Sequence, residues 1–212
     1  MRILTFALTI AAAAQTVDQL VPHRTTVTAT TYRGRPAMKV VEAGEVNNGE
    51  AYAVLKGPAF SSGTIEVDIA GAPRAGAAGG ARGFIGMGFR LQSTGQYEHI
   101  YLRPTNGRVD DQVRRNHSTQ YAMHPDFDFA RLRKEAPEKY ESYVDLEPGA
   151  WTKYKVVVEG VTAKLYVHGA AQPCLIVNDL KLGAISGDVL LWIGPGTEGY
   201  FANLKVTPAA SR

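Results

Sequence analysis

Short segments in which apolar and polar residues alternate run through most of the chain. The clearest is GTIEVDIAG, residues 63–71, where Ile65, Val67 and Ile69 fall on one face. An alternation of period two is typical of a β-strand with one buried face. Comparable segments, bounded by Gly, Pro or Asn, lie at residues 25–32, 36–43, 51–57, 84–92, 96–104, 151–160, 163–169, 174–181, 187–194 and 199–207. About ten strands with no helix between them predict an all-β fold, an antiparallel β-sandwich of the jelly-roll type.

Residues 104–150 break this rhythm. They contain a helix-like piece, DFDFARLRKEA at residues 126–136, for which Asp126 is the predicted N-cap. A segment of this length inside a compact domain is usually functional or disordered. Its several aromatic residues argue against disorder, because such side chains anchor a segment to a sheet. We therefore predict that the sandwich carries one partly helical insertion at about residues 104–150.

The composition narrows the class of protein. The chain has 212 residues, 45% of them hydrophobic, which is enough for one domain with a substantial core. Its formal net charge is +3 and no long basic run accompanies that charge, so nucleic acid is not an expected partner. The single cysteine, Cys174, excludes an internal disulfide and is expected to be a small core residue.

The first residues have the pattern of a cleavable secretory signal. Met1 and Arg2 form a positively charged start, residues 3–10 are apolar, and the alanines at 11–14 provide a cleavage site. The apolar run is too short to span a bilayer, and no other segment predicts a membrane span. We expect a signal peptide at residues 1–14, a single domain at residues 15–212, and an exported protein, either periplasmic or extracellular.

Strand alternation also predicts which side chains face a groove. In residues 96–104, one face carries Tyr97, His99, Tyr101 and Arg103, and the other carries Glu98, Ile100 and Leu102. The second face contains aliphatic residues and is expected to pack in the core, which leaves the first for a groove. In residues 84–91, the same reasoning puts Phe84, Gly86, Gly88 and Arg90 on the groove side. The two glycines are expected to let a ligand approach the backbone closely.

The second half of the chain carries a family resemblance. Trp151, the segment LYVHG at residues 165–169 and the strand from Gly187 to Gly194 resemble the concanavalin A-like lectin/glucanase superfamily, and within it the laminin-G-like jelly rolls. The resemblance implies two curved antiparallel sheets, with a sugar site on the concave sheet. It does not imply one activity, since the superfamily includes lectins, hydrolases, lyases and adhesion modules.

Two enzyme signatures match the chain only in part. Laminarinase-type hydrolases carry E-x-D-x-x-E on one strand, and here Glu66 and Asp68 are followed by Gly71 instead of the third carboxylate. Arg90 and the pair Tyr97-Glu98 resemble positions of 3-keto-disaccharide hydrolase domains. Neither pattern assigns an activity.

The residues near the predicted groove suit a sugar. Sugar hydroxyls need planar donors and acceptors, and the apolar face of a sugar ring needs an aromatic surface. The candidate ligand-binding residues are Arg90, Arg103, Arg115, Asn116 and Gln120 for hydrogen bonding, with Tyr101, Tyr121 and Tyr140 as aromatic surfaces. The polar stretch RRNHSTQY, residues 114–121, is expected to form a wall or lid over the groove, and the arginines favour an acidic glycan. We therefore predict a secreted carbohydrate-binding domain whose site lies under residues 104–145.

Other interpretations remain open at this point. The arginines could pair with acidic residues and only hold the insertion together. A glycoside hydrolase or polysaccharide lyase could use the same site, with Glu98 and Glu141 as weak catalytic candidates or with a tyrosine as base. A non-catalytic protein-interaction module is the third alternative. No motif predicts a metal or cofactor, although a structural calcium ion and the oligomeric state stay open.

Overall fold

The computed structural model describes residues 17–44 and 50–210. The predicted signal peptide, residues 1–14, lies outside the described residues. Two short 3-10 helices, Val17–Gln19 and Pro104–Asn106, and two α-helices accompany the strands. No helix in the described ranges is long and apolar enough to cross a membrane.

Alternating apolar residues form strands along most of the described chain. The strands are β1 Leu20–His23, β2 Thr25–Tyr32, β3 Arg35–Glu42, β4 Ala51–Phe60, β5 Gly63–Pro73, β6 Ile85–Leu91, β7 Tyr97–Leu102, β8 Thr119–His124, β9 Glu141–Ser142, β10 Thr152–Glu159, β11 Thr162–Val167, β12 Leu175–Val177, β13 Gly187–Ile193 and β14 Thr197–Pro208. The helices are α1 Gln112–Asn116 and α2 Phe129–Glu135.

The strands form two seven-stranded sheets. We call the sheet in the order β1-β4-β13-β6-β7-β8-β9 the groove sheet, and the sheet in the order β12-β11-β10-β5-β14-β3-β2 the back sheet. Every described strand pairing is antiparallel. The predicted all-β sandwich of jelly-roll type is therefore confirmed.

The core lies between the two sheets. Ile65, Val67 and Ile69 of β5 point into it, as their alternation predicts, and each is at most 3% exposed. From the groove sheet, Ile100 of β7 faces the same core, and its carbonyl accepts a hydrogen bond of 2.8 Å from the hydroxyl of Tyr154 on β10. Because β7 buries Ile100, the neighbouring side chains of the strand project from the opposite face of the groove sheet.

The outer face of the back sheet carries a small separate cluster. The rings of Tyr32 and Tyr200 stack with centroids 3.7 Å apart, and Trp151 meets Tyr32 edge-on at 5.6 Å. These rings cover Ala70 and other small residues outside the main core. Away from this cluster, Cys174 lies just before β12, half-buried against the main core, and burial raises the pKa of its thiol to about 11.

The predicted insertion is helical only in part. Residues 119–124 form the strand β8, which pairs with β7 along its whole length and extends the groove sheet. The polar stretch 114–121 is therefore divided between α1 and β8, and the prediction that all of it forms a wall or lid over the groove is wrong. The helix α2 begins after Asp128, whose carboxylate accepts a hydrogen bond from the backbone of Arg131, so Asp128 is the N-cap instead of Asp126.

Candidate functional site

A groove of about 1290 Å³ lies on the outward face of the groove sheet. Its floor comes from strands β4, β7, β8 and β13. One wall is the small-residue loop around residues 78–82, and the other is formed by residues 125–133 at the start of α2. The side chains Tyr97, His99, Tyr101 and Arg103 all line it. Strand alternation in residues 96–104 therefore placed these four side chains correctly.

Aromatic rings in mutual contact form the floor. Tyr101 lies 4.8 Å from Trp192 and 5.3 Å from His99, measured between ring centroids. Further ring contacts join the pairs His99–Trp192 at 4.7 Å, Tyr97–His99 at 5.3 Å, Tyr97–His124 at 5.0 Å, Tyr52–Tyr97 at 5.4 Å and His23–Tyr52 at 4.5 Å. The floor thus presents one connected aromatic surface across several strands.

The centre of this floor contains an uncharged histidine. His99 is 6% exposed, and burial, followed by the nearby His124, lowers its pKa to about 3. The imidazole is therefore neutral at physiological pH. Among the described residues, its Nδ1 atom has no hydrogen-bond partner. A neutral imidazole in an aromatic floor adds polarity without adding charge.

The glycines of β6 do not leave open space in the groove. A Cβ atom on Gly86 would lie 2.8 Å from Cβ of Tyr101, and one on Gly88 would lie 2.5 Å from Cδ1 of Leu190. The expectation that a ligand approaches the backbone here is wrong, because neighbouring side chains fill that space. The glycines instead allow Tyr101 and Leu190 to lie close to the sheet.

One end of the groove is rich in arginine. Arg103 is 5% exposed and is held by acceptors on several elements. Its Nη1 donates to the His117 carbonyl and to Oε1 of Glu141, each at 3.0 Å. Its Nη2 donates to the Tyr101 hydroxyl at 3.0 Å and to Oε1 of Gln120 at 3.1 Å. Four hydrogen bonds fix this guanidinium at the edge of the aromatic floor.

Glu141 lies behind the arginines and does not itself line the groove. Its carboxylate also accepts hydrogen bonds from Nε and Nη2 of Arg133, and Nε2 of His117 lies 3.6 Å away. Burial acts to raise the pKa of Glu141, but Arg133, Arg103 and His117 together hold it below its usual value. Glu141 is therefore an ionised carboxylate between two arginines.

Arg90, a predicted ligand-binding residue, does not reach the groove. It is 0% exposed and pairs at 3.2 Å with Glu98, which is also fully buried. Its guanidinium further donates to the carbonyls of Ser61, Gly160 and Gly183. The placement was wrong because Arg90 has a φ of 60°, which breaks the alternation of β6, in a region where the pairing of β6 with β13 also shifts register.

Glu98, a weak catalytic candidate in the sequence, is also held in the core. Its carboxylate accepts from the Tyr121 hydroxyl at 2.9 Å and the Leu182 backbone at 3.0 Å, besides Arg90. Burial raises its pKa, and these partners only partly offset that effect. Glu98 therefore has no access to a ligand, and its placement contradicts the catalytic interpretation.

Two of the predicted aromatic surfaces also lie away from the groove. Tyr121 is 0% exposed and points into the core, because it pairs with Ile100 in the register of β7 and β8. Tyr140 is 3% exposed, lies 5.5 Å from the Tyr121 ring, and donates its hydroxyl proton to Asp179. Neither ring lines the groove, so the predicted placement of both was wrong.

The remaining candidates lie near the groove without lining it. Gln120 is fully buried beneath Arg103, and the exposed Asn116 accepts from Gln112 within α1. Arg115 donates to the Tyr143 hydroxyl at 2.8 Å. The structure thus brings together Tyr101 and Arg103 from the predicted set, with Gln120 as support.

Several groove-lining residues were not among the candidates. They are His23, Tyr52, Arg82, Arg114, His124, Phe129 and Arg133. Phe129 is 46% exposed at the rim, within 5.7 Å of the Arg103 guanidinium and 5.5 Å of that of Arg133. The aromatic residue that follows Asp128 at the start of the predicted helix was the sequence signal that could have identified this wall.

Carboxylates that line the groove have structural partners. Among the described residues these are Glu50, which pairs with Arg24, and Asp128, which caps α2. The described part of the chain also contains no group of three or more His, Cys, Asp or Glu side chains placed to hold a metal ion. The groove therefore offers rings and guanidinium groups as its main chemistry.

Comparison with known proteins matches the chain by fold alone. No protein-family model and no curated protein matches the sequence. The carbohydrate-binding module CBM66 from Bacillus subtilis is similar, with a TM-score of 0.59 and 14% identity, over 88% of this chain and 93% of that one. The fold is of the concanavalin A-like type.

Two further structures support that assignment of the fold. A Bacillus subtilis protein of unknown function with a galectin-like fold has a TM-score of 0.57 and 11% identity, over 92% of each chain. A candidate glycosyl hydrolase from Parabacteroides distasonis has a TM-score of 0.53 and 11% identity, over 91% of this chain and 89% of that one. The jelly-roll architecture implied by the sequence resemblance is thereby confirmed, and function has to be argued from the groove.

Proposed function

We propose that this is an exported protein that binds a carbohydrate in the groove on its groove sheet. The observation that carries the proposal is the connected aromatic floor around His99, Tyr101 and Trp192, which is bordered by hydrogen-bonding groups. Aromatic rings suit the apolar faces of sugars, and the imidazole and guanidinium groups suit their hydroxyls. The seven residues from Tyr97 to Arg103, along β7 and just past its end, span about 20 Å, so the groove has room for more than one sugar ring.

An acidic glycan is the ligand class we favour. Arg82, Arg103, Arg114 and Arg133 line the same end of the groove or its rim, and among the described residues only one contacting carboxylate, Glu141, pairs with two of them. The positive charge at this end exceeds what the described neighbours neutralise. A carboxylate or sulfate group on the ligand would balance it through charge-assisted hydrogen bonds.

Binding without catalysis is the form of function that the groove supports best. A glycoside hydrolase needs two carboxylates facing the scissile bond. Here Glu98 is enclosed in the core, Glu141 is bound by arginines, and Glu50 and Asp128 have structural partners. Burial also raises the pKa of Tyr101, which does not favour its action as a base.

A glycan array followed by isothermal titration calorimetry tests the proposal. We expect the wild type to bind, and Tyr101→Ala and Arg103→Ala each to weaken binding by about tenfold or more, since each removes a ligand contact of about 1.4 kcal/mol. Tyr166→Ala is the matched control, because Tyr166 lies on the back sheet, away from the groove. Retained affinity in both groove variants would contradict the site, and release of products from the bound glycan would indicate an enzyme.

A further inference from the structure

Glu141 and Arg133 form an ion pair in which one side chain is buried and the other is partly exposed to solvent. The side chain of Glu141 is 3% exposed, whereas that of Arg133 is 38% exposed at the groove rim. Both hydrogen bonds that Arg133 makes with described residues go to Glu141. Arg103, by contrast, is fixed by four acceptors. Of the two arginines that hold Glu141, only Arg133 has a route to a different partner.

A donor without an acceptor lies at the same end of the groove. Arg114 lines the groove, and no acceptor among the described residues reaches its buried Nε atom. The single hydrogen bond that its Nη2 makes, to Asn106, is long at 3.4 Å. A buried donor without an acceptor costs free energy, so an anion at this position would satisfy it. The carboxylate of Glu141 does not line the groove, because Arg103 and Arg133 hold it behind them.

We propose that Glu141 is an internal substitute for the acidic group of the ligand, and that it sets the selectivity of the groove for acidic glycans. In the free protein, Glu141 neutralises Arg133. When a glycan carboxylate or sulfate enters, Arg133 turns toward it, and Arg103 remains as the partner of Glu141. This inference rests on the proposed function, since it names what decides which sugars the groove accepts.

The balance of charges at this end of the groove is consistent with Arg133 exchanging Glu141 for an anion of the ligand. Arg103, Arg133 and Glu141 together carry one net positive charge, and one bound anion neutralises it. Glu141 is not left as an unpaired buried charge, because Nη1 of Arg103 stays 3.0 Å from it. The two hydrogen bonds that break are both donated by a partly exposed arginine, whose ion pair is less costly to lose than one between two buried groups. A neutral glycan has no anionic group that could pair with Arg133, so Arg133 stays paired with Glu141.

Two pairs of matched variants on the full chain test the inference. Arg133→Gln is compared with Arg131→Gln, since both residues lie on α2 and pair with a glutamate, but only Arg133 lines the groove. Glu141→Gln is compared with Glu135→Gln, because each glutamate pairs with an arginine of α2, but only Glu141 pairs with the arginine that lines the groove. The probes are a heparin hexasaccharide for sulfate, a galacturonate hexamer for carboxylate and cellohexaose as the neutral glycan, with affinities measured by calorimetry.

We expect opposite effects from Arg133→Gln and Glu141→Gln. Arg133→Gln should weaken binding of the charged probes by about tenfold, as loss of a charge-assisted hydrogen bond predicts. Glu141→Gln should strengthen it by roughly fivefold, the upper worth of a partly exposed ion pair that no longer competes. The controls should stay within about twofold, the range of a surface charge change. Affinity for cellohexaose should not respond to either groove variant.

Four outcomes would contradict parts of this inference or of the proposed function. Weaker binding of the charged probes by Glu141→Gln would mean that Glu141 positions the arginines instead of competing for them. Equal effects in Arg133→Gln and Arg131→Gln would mean that no anion reaches Arg133, and this comparison also decides the matter if Glu141→Gln does not fold. Binding of cellohexaose alone would leave the proposed function standing and remove this inference. No binding of any glycan on the array would remove both.

Discussion

Two buried arginine–glutamate pairs described on the groove sheet have different roles. Arg90 and Glu98 are both 0% exposed and lie between the two sheets. Arg103 and Glu141 are 6% and 3% exposed and lie at the end of the groove. The enclosed pair ties turns of the chain together, since Arg90 also bonds three backbone carbonyls. In the second pair, Glu141 also contacts Arg133, which lines the groove, so a ligand in the groove can change the ion pairing.

The two glutamates show the same contrast in acidity. Burial is the largest influence on both carboxyls, yet the pKa of Glu98 is raised and that of Glu141 is lowered. The difference comes from Arg133, which gives Glu141 a second cation that Glu98 lacks. Buried ion pairs therefore differ from one another, and the number of cationic partners decides whether the pKa of the buried carboxyl is raised or lowered.

The largest expected effect is on the enclosed pair. Arg90→Met should lower the free energy of unfolding by about 3–5 kcal/mol, because it leaves Glu98 buried without a cation. Chemical denaturation followed by circular dichroism measures this. Arg108→Met is the control, since the side chain of Arg108 is 59% exposed and pairs on the surface, where the change should stay below about 1 kcal/mol. Similar losses in both variants would contradict the difference in burial.

An intermediate effect is expected for the pair at the groove. Arg103→Met should lower the free energy of unfolding by about 1–3 kcal/mol, since Gln120 loses its donor but Glu141 keeps Arg133. The same denaturation experiment measures it. A loss as large as that of Arg90→Met would show that Arg133 does not substitute for Arg103, and the two pairs would then be energetically alike.

The smallest expected effect is on the pH dependence of stability. The folded-state pKa of Glu141 lies below its usual value of 4.5, so its ion pairs stabilise the protein above that pH and are lost as the pH falls through the folded pKa. Glu98 has the opposite sign, because its pKa is raised. Stability should therefore decline less steeply below about pH 4.5 in Glu141→Gln than in the wild type. Equal slopes in denaturant titrations at several acidic pH values would contradict the assignment.

Much of the fold follows from the sequence, because alternation is a local property. The apolar pattern of β5 and the assignment of His99 and Tyr101 to the groove side of β7 were both correct. They succeeded where the backbone keeps the regular extended conformation that the alternation assumes. The resemblance added the jelly-roll type, which the two seven-stranded sheets confirm.

The site was harder to predict because it depends on exceptions to that regularity. The left-handed backbone at Arg90 has no signal in the sequence, since the residue is not a glycine. Tyr121 was misplaced because β8 is a strand through its pairing with β7, and its own polar sequence resembles a loop. Arg133 and Phe129 reach the groove only because the chain after β8 folds back beside it.

The positions of the two tryptophans have an optical consequence. Trp192 belongs to the groove floor, whereas Trp151 lies with Tyr32 on the outer face of the back sheet. The chain has no third tryptophan. One indole thus sits where an occupant would alter its surroundings, and the other sits on the opposite side of the sandwich. The intrinsic fluorescence of the protein accordingly contains a reporter emitter and a reference emitter, without any attached dye.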